Sequence, residues 1–197
     1  MGIKHWVANI QLANLKRRAE LNSFNIPSDL LKTRHILVCL PGGLRELTLV
    51  KQFLPTISTL FRQSDITLLA MPGIQVTDIY PRKGFQIITP SMDQLGWSGL
   101  PKRTFLSTLH GYNFDMVLDM NLEQSMFTAT VLLNVPKAIR VGRGNHLGKP
   151  FYNLEIKTKY LRDERNIYRS MLETLGNLMN RRAALEATDP AEEAQEV

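Results

Sequence analysis

The chain has 197 residues, 44% hydrophobic and 21% charged, which is the composition of one globular domain with room for appended ends and too little for a roomy two-domain enzyme. A single cysteine, Cys39, excludes an internal disulfide and points to a reducing compartment. No stretch reaches the roughly 20 apolar residues of a membrane span and no signal-peptide pattern opens the chain, so the reading is cytoplasmic. The formal charge of +6 is unevenly spread. Ala183–Val197 carries five acids and no base, which leaves 24 basic against 13 acidic residues, or +11, on Met1–Arg182. Such a body suits anionic company: phosphorylated sugars, nucleotides, nucleic acid or an anionic membrane, with plain solubilising charge as the alternative.

In chain order, residues 1–33 form a helical extension. Ile3, Trp6, Val7, Ile10 and Ala13 recur at helical spacing, with Lys4, Lys16, Arg17 and Arg18 around the rest of the wheel. That apolar stripe needs a cover, either the domain itself, a partner protein or a second copy of the chain, or a membrane surface contacted peripherally through residues 3–18. The core domain spans 34–182. Ile36–Leu40 is a near-continuous apolar run, as expected of a strand covered on both faces. Pro41-Gly42-Gly43 forms a loop, and a helix follows from Leu47 to Phe61, with Pro55 expected to kink or split it. Further strands are expected at Asp65–Met71, Phe85–Ile88, Asp115–Met120 and Ala138–Val141, and helices at Arg103–Gly111, Gln124–Leu133 and Asp163–Arg182. This alternation predicts an α/β fold with one doubly wound, mostly parallel five-stranded sheet in the order 3-2-1-4-5, carrying an N-terminal helical extension and a C-terminal helix. Residues 183–197, acidic and without aromatics, are read as a disordered tail.

Ligands of such sheets bind beyond the carboxyl ends of the strands, where the strand order reverses. The loop Gly42-Gly43-Leu44-Arg45-Glu46 falls there and opens a helix whose amides attract anions. It has neither a Walker lysine nor dinucleotide glycine spacing, and a simple tight turn is the alternative. Gly42, Gly43 and Arg45 are candidate ligand-binding residues. Glu46 is the carboxylate best placed as a general base toward a hydroxyl, although acids are also common in first helical turns for dipole reasons. The segment from Arg140 to Lys149 offers Arg140, Arg143 and Lys149 among glycines as a cationic loop for phosphate or carboxylate, with a solvated surface as the alternative. The scattered histidines, His146 included, support no metal site, no cofactor is implied, and the aromatics show no pattern for specific nucleic-acid binding. Asp115 and Asp119 share one face of their strand, Asp119 placed to cap the following loop.

Five segments in order resemble glycosyltransferase family 9, the ADP-heptose:lipopolysaccharide heptosyltransferases. These are Ile36–Leu47 with its small-residue loop; Leu54-Pro55 in the following helix; Asp65-Ile-Thr-Leu-Leu69; Phe114-Asp-Met-Val-Leu-Asp-Met120; and Arg140-Val-Gly142 with Phe151-Tyr-Asn153. The resemblance covers Arg34–Leu178 and implies the Rossmann-like, acceptor-side half of a two-domain enzyme that needs no metal and builds cell-envelope lipopolysaccharide beside the inner membrane. It implies a base in the first loop. The family's Gly-Asp pair maps onto Arg45-Glu46, which keeps the carboxylate one methylene further out and puts a bulky cation where the family has a small residue. The chain is about half the length the family needs, so the resemblance implies that the donor domain is missing. Two functions follow: a saccharide- or anion-binding or assembly module, taking a phosphorylated saccharide or a protein partner, or a transferase subunit whose donor domain another chain supplies.

Overall fold

Among the described residues, six short strands pair side by side in one parallel sheet: β1 (His35–Cys39), β2 (Asp65–Leu69), β3 (Gln86–Ile88), β4 (Met116–Asp119), β5 (Ile139–Arg143) and β6 (Leu154–Ile156), in the order β3-β2-β1-β4-β5-β6. The computed structural model describes residues 3–19, 22–73, 80, 84–144 and 147–187. The five expected strands and their order are present. The sixth, β6, extends the sheet beyond β5, and its Leu-Glu-Ile is too short and too mixed to stand out as an apolar run.

The helices are α1 (Ile3–Arg18), α2 (Ser28–Leu31), α3 (Leu44–Leu60), α4 (Arg103–Gly111), α5 (Met126–Leu133) and α6 (Glu164–Ala187). Alternation along β1 separates two cores. Ile36 and Val38 face α3 and α6, where Leu47, Val50, Leu54, Ile57, Ile167, Met171, Leu172 and Leu175 are buried. Leu37 and Cys39 face α4 and α5, against Phe105, Leu109, Phe127, Val131 and Leu132. Each fully buried aliphatic side chain contributes on the order of 2 kcal/mol. Pro55 does not split α3, which continues across it. The proline lies exposed on the solvent side, while Leu54 and Ile57 anchor the helix to the core on either side of it. Helix α6 packs on α3, with Gly176 letting the Leu60 side chain approach closely. It runs to Ala187, into the segment expected to be a tail, and the rest of that tail, 188–197, lies outside the described residues.

The N-terminal extension is helix, coil and one short turn of helix. Helix α5 is buried all round, because α4 and the sheet cover one side and α1 lies across the other. The face of α1 that makes this contact is Ala8, Leu12, Leu15 and Ala19. Of the stripe expected to need a cover, Ile3, Trp6 and Ile10 are on the opposite side and exposed, so the domain is not what covers them. Period alone could not choose between them, since the helix is apolar along two opposed stripes.

Candidate functional site at the carboxyl edge of the sheet

The strand order reverses between β1 and β4, and a crevice of about 640 Å³ opens there at their carboxyl ends. One wall is the end of the β1–α3 loop with the first turn of α3, Gly42 to Glu46; the other is the β4–α5 loop, with Asn121, Glu123, Gln124 and Ser125. Met71, Leu100 and Phe127 supply apolar floor and sides, and Glu164, at the start of α6, closes one end.

Local chemistry explains both walls. Gly43 is the N-cap of α3 in an extended conformation and its carbonyl accepts from the Leu47 amide at 2.9 Å. Neither Gly42 nor Gly43 has a positive φ, so left-handed backbone does not explain them. A Cβ at Gly42 would meet nothing nearer than Met71 at 3.7 Å, and one at Gly43 nothing nearer than the Glu46 carboxylate at 3.4 Å. What the glycines do is leave the backbone bare on the crevice wall. Across the crevice, Ser125 caps α5, its hydroxyl accepting from the Thr128 amide at 3.2 Å.

The electrostatics are acidic. Among the described residues, Glu46, Glu123 and Glu164 face the crevice with Arg45 as their one guanidinium. Arg45 is 86% exposed and its Nε lies 3.3 Å from Glu164 Oε2. Burial, chiefly, raises the Glu46 carboxyl above its ordinary range; Glu123 and Glu164 add to the rise and Arg45 opposes it. The negative charge suited to the N-terminus of α3 is therefore already supplied by Glu46 in its first turn.

Beneath this wall lies a buried polar network. Asp119, at the end of β4, accepts from the Tyr152 hydroxyl at 2.7 Å and from the Asn121 amide and side chain at 3.0 and 2.6 Å, and Asn121 also donates to Thr128 Oγ1. Asp119 thus caps its loop, as its position suggested. Burial and the neighbouring carboxylate hold the Tyr152 hydroxyl well above its ordinary range, so it serves as a donor. Tyr152 fits only because position 142 is glycine: a Cβ there would lie 2.3 Å from its ring.

The expected ligand-binding residues divide accordingly. Gly42, Gly43, Arg45 and Glu46 line the crevice together. Arg140 does not bind from a surface: it is 0% exposed, donating Nε to Asn153 Oδ1 at 3.2 Å and Nη1 to the Leu132 carbonyl at 3.1 Å. It lies opposite Val117 in the middle of the sheet, where a side chain must point into a core. Arg143 is half-buried and reaches the Leu161 carbonyl at 3.4 Å, while Lys149 is exposed; neither lines the crevice. His146 lies outside the described residues, and among those described no cluster of His, Cys, Asp or Glu is arranged to hold a metal ion. Asn121, Glu123, Gln124 and Glu164 were missed from sequence; the first three sit on a loop without a motif and Glu164 opens a distant helix, and only the crossing point of the sheet could have pointed to the β4–α5 loop.

The fold is similar to part of a crystal structure described as the glycosyl transferase family 9 from Veillonella parvula DSM 2008, with a TM-score of 0.55 and 20% identity over 73% of this chain. This chain spans 41% of the length of that one. The sequence matches no family model and no curated protein.

Proposed function

We propose that this chain is a glycosyltransferase-like domain that works as a saccharide-binding module, and that the sugar it holds at the β1–β4 crevice is uncharged and rich in hydroxyls. The observation that carries this reading is the crevice wall: among the described residues it sets three carboxylates against one guanidinium, and that guanidinium is already paired with Glu164. Carboxylates and side-chain amides accept and donate to hydroxyl groups, whereas a phosphate placed there would meet like charge. The phosphorylated saccharide suggested by the cations alone gives way, because Arg140 is inside the core and Arg143 and Lys149 are elsewhere.

The test is a titration of the whole chain with neutral monosaccharides and disaccharides and with sugar phosphates, followed by saturation-transfer NMR. Neutral sugars are expected to take up saturation, and Glu123→Gln with Gln124→Ala, both at exposed positions, to weaken binding at least fivefold. Preference for the phosphorylated ligands, or no binding at all, overturns the reading.

A second reading, transfer to the bound sugar in cell-envelope polysaccharide synthesis with a donor domain supplied by another chain, is favoured by Glu46 itself. A half-buried carboxyl with a raised pKa, facing the ligand space, suits a general base toward a sugar hydroxyl. Transfer from ADP-heptose by the chain mixed with such a donor domain, lost about a hundredfold in Glu46→Gln, is its expected result.

A further inference from the structure

We propose that α1 and the loop bearing Trp97 form a docking surface for an anionic phospholipid membrane, on which the domain lies peripherally. Helix α1 is held to the domain by one stripe, Ala8, Leu12, Leu15 and Ala19, so it is a fixed part of the surface. Its opposite stripe carries Ile3 at 73% and Trp6 at 65% exposure, together with the exposed Ile10. A domain that only needed a cover for α5 has no use for that second apolar stripe.

Charge selects the occupant. Residues Ile3–Arg18 contain no acid, and the last turn presents Lys16, Arg17 and Arg18. At 100° per residue Arg17 falls on the same sector as Trp6 and Ile10, so the apolar stripe ends in a cation. An apolar protein groove gains nothing from that arrangement, and a second copy of the same basic helix would be repelled. Anionic headgroups above an acyl layer match both parts.

The tryptophans agree. The chain has two, Trp6 and Trp97, and both are exposed, at 65% and 62%. The loop that carries Trp97 is tied to the helix, Ser98 Oγ donating to Gln11 Oε1 at 3.1 Å. Tryptophan favours the interfacial layer of a bilayer, where its ring is apolar and its N–H is wet. A helix of 16 residues lies on such a layer and does not cross it, and among the described residues no helix is long and apolar enough to span.

The experiment is flotation of the whole chain with vesicles of phosphatidylglycerol and phosphatidylcholine in equal parts, and with phosphatidylcholine alone, at 0.1 M salt. Binding to the anionic vesicles at least tenfold stronger than to the neutral ones is expected, with a blue shift of tryptophan emission and release at 0.5 M salt. Trp6→Ser and, separately, Arg17→Glu with Arg18→Glu are each expected to reduce binding at least tenfold. All three side chains are exposed, so circular dichroism should be unchanged in both variants. Failure to float with anionic vesicles, flotation indifferent to both variants, or a concentration-dependent dimer that buries Trp6 would each overturn the proposal. None of these variants touches the crevice, so sugar binding stands or falls independently.

Discussion

Two segments with the same lettering, glycine beside arginine, end up in opposite environments. Gly42-Gly43-Leu44-Arg45 is an exposed loop end and helix start over an open crevice, and Arg140-Val141-Gly142-Arg143 is a strand whose first arginine is sealed in the core. In the first, the glycines are small so that the space in front of them stays empty; in the second, Gly142 is small because Tyr152 fills that space. Charge is used differently as well: Arg45 reaches across to another helix in water, whereas Arg140 fastens β5 to Asn153 and, through the Asn153 amide, to Asn22 in the coil after α1. A cationic, glycine-containing stretch is therefore no evidence of a ligand until its depth in the sheet is known.

The widest separation between the two segments is expected from alanine at the glycines. Gly142→Ala forces a Cβ to 2.3 Å from the Tyr152 ring and should cost at least about 3 kcal/mol or prevent folding. Gly43→Ala, facing only the flexible end of Glu46, should stay within about 0.5 kcal/mol. Urea midpoints compare the two, and equal midpoints would remove the distinction. Next comes the arginine pair. Arg140→Met withdraws the guanidinium from the Leu132 carbonyl and from Asn153 Oδ1, which keeps only the Arg140 backbone amide at 3.0 Å, and should cost about 2–3 kcal/mol, whereas Arg45→Met gives up one exposed ion pair and should move stability by about 0.5 kcal/mol or less. A third and smaller effect, about 1–2 kcal/mol, is expected from Tyr152→Phe, which keeps the packing against Gly142 and withdraws the hydroxyl from the buried Asp119 carboxylate. If Tyr152→Phe proves as costly as Gly142→Ala, the hydrogen bond and not the ring would be what position 142 protects.

The parts of this architecture legible in the sequence are those written as patterns. Ile36–Leu40 and Asp115–Met120 announce buried parallel strands through continuous apolar runs, and the reversal point of the sheet then locates the crevice and Gly42, Gly43, Arg45 and Glu46 on its wall. The segments that resemble family 9 meet in space, but as scaffold: Arg140 with Asn153, and Gly142 with Tyr152 and Asp119. That role is invisible in one dimension because it depends on which way a side chain leaves its strand and what stands 13 or 33 residues away. The face by which α1 docks was equally hidden, since Ala8, Leu12 and Leu15 compete with a stripe of larger side chains that the fold leaves outside. The acidity of the crevice was hidden because Glu123 and Glu164 belong to a loop and a helix far apart in sequence.

The smallest effect tests that acidity most directly. Burial and two neighbouring carboxylates raise the Glu46 pKa in the folded protein, so the fold holds that proton more tightly than the unfolded chain does. The contribution to stability is complete below the unfolded pKa and is lost as pH rises through the folded one; at neutral pH the ionised carboxylate works against folding. Glu46→Gln removes the charge and keeps most of the shape, so it should raise the Tm by about 1 °C at pH 7.5, a gain that shrinks as the pH falls and the native carboxyl takes up its proton. Arg45→Met removes the one cation that opposes the shift, and in that background the same Glu46→Gln gain at pH 7.5 should be larger. A gain that is independent of pH, or one that shrinks when Arg45 is replaced, would mean that Glu46 does not share its surroundings with Glu123 and Glu164. The crevice would then lose the charge pattern that separates it from the arginine sealed within β5.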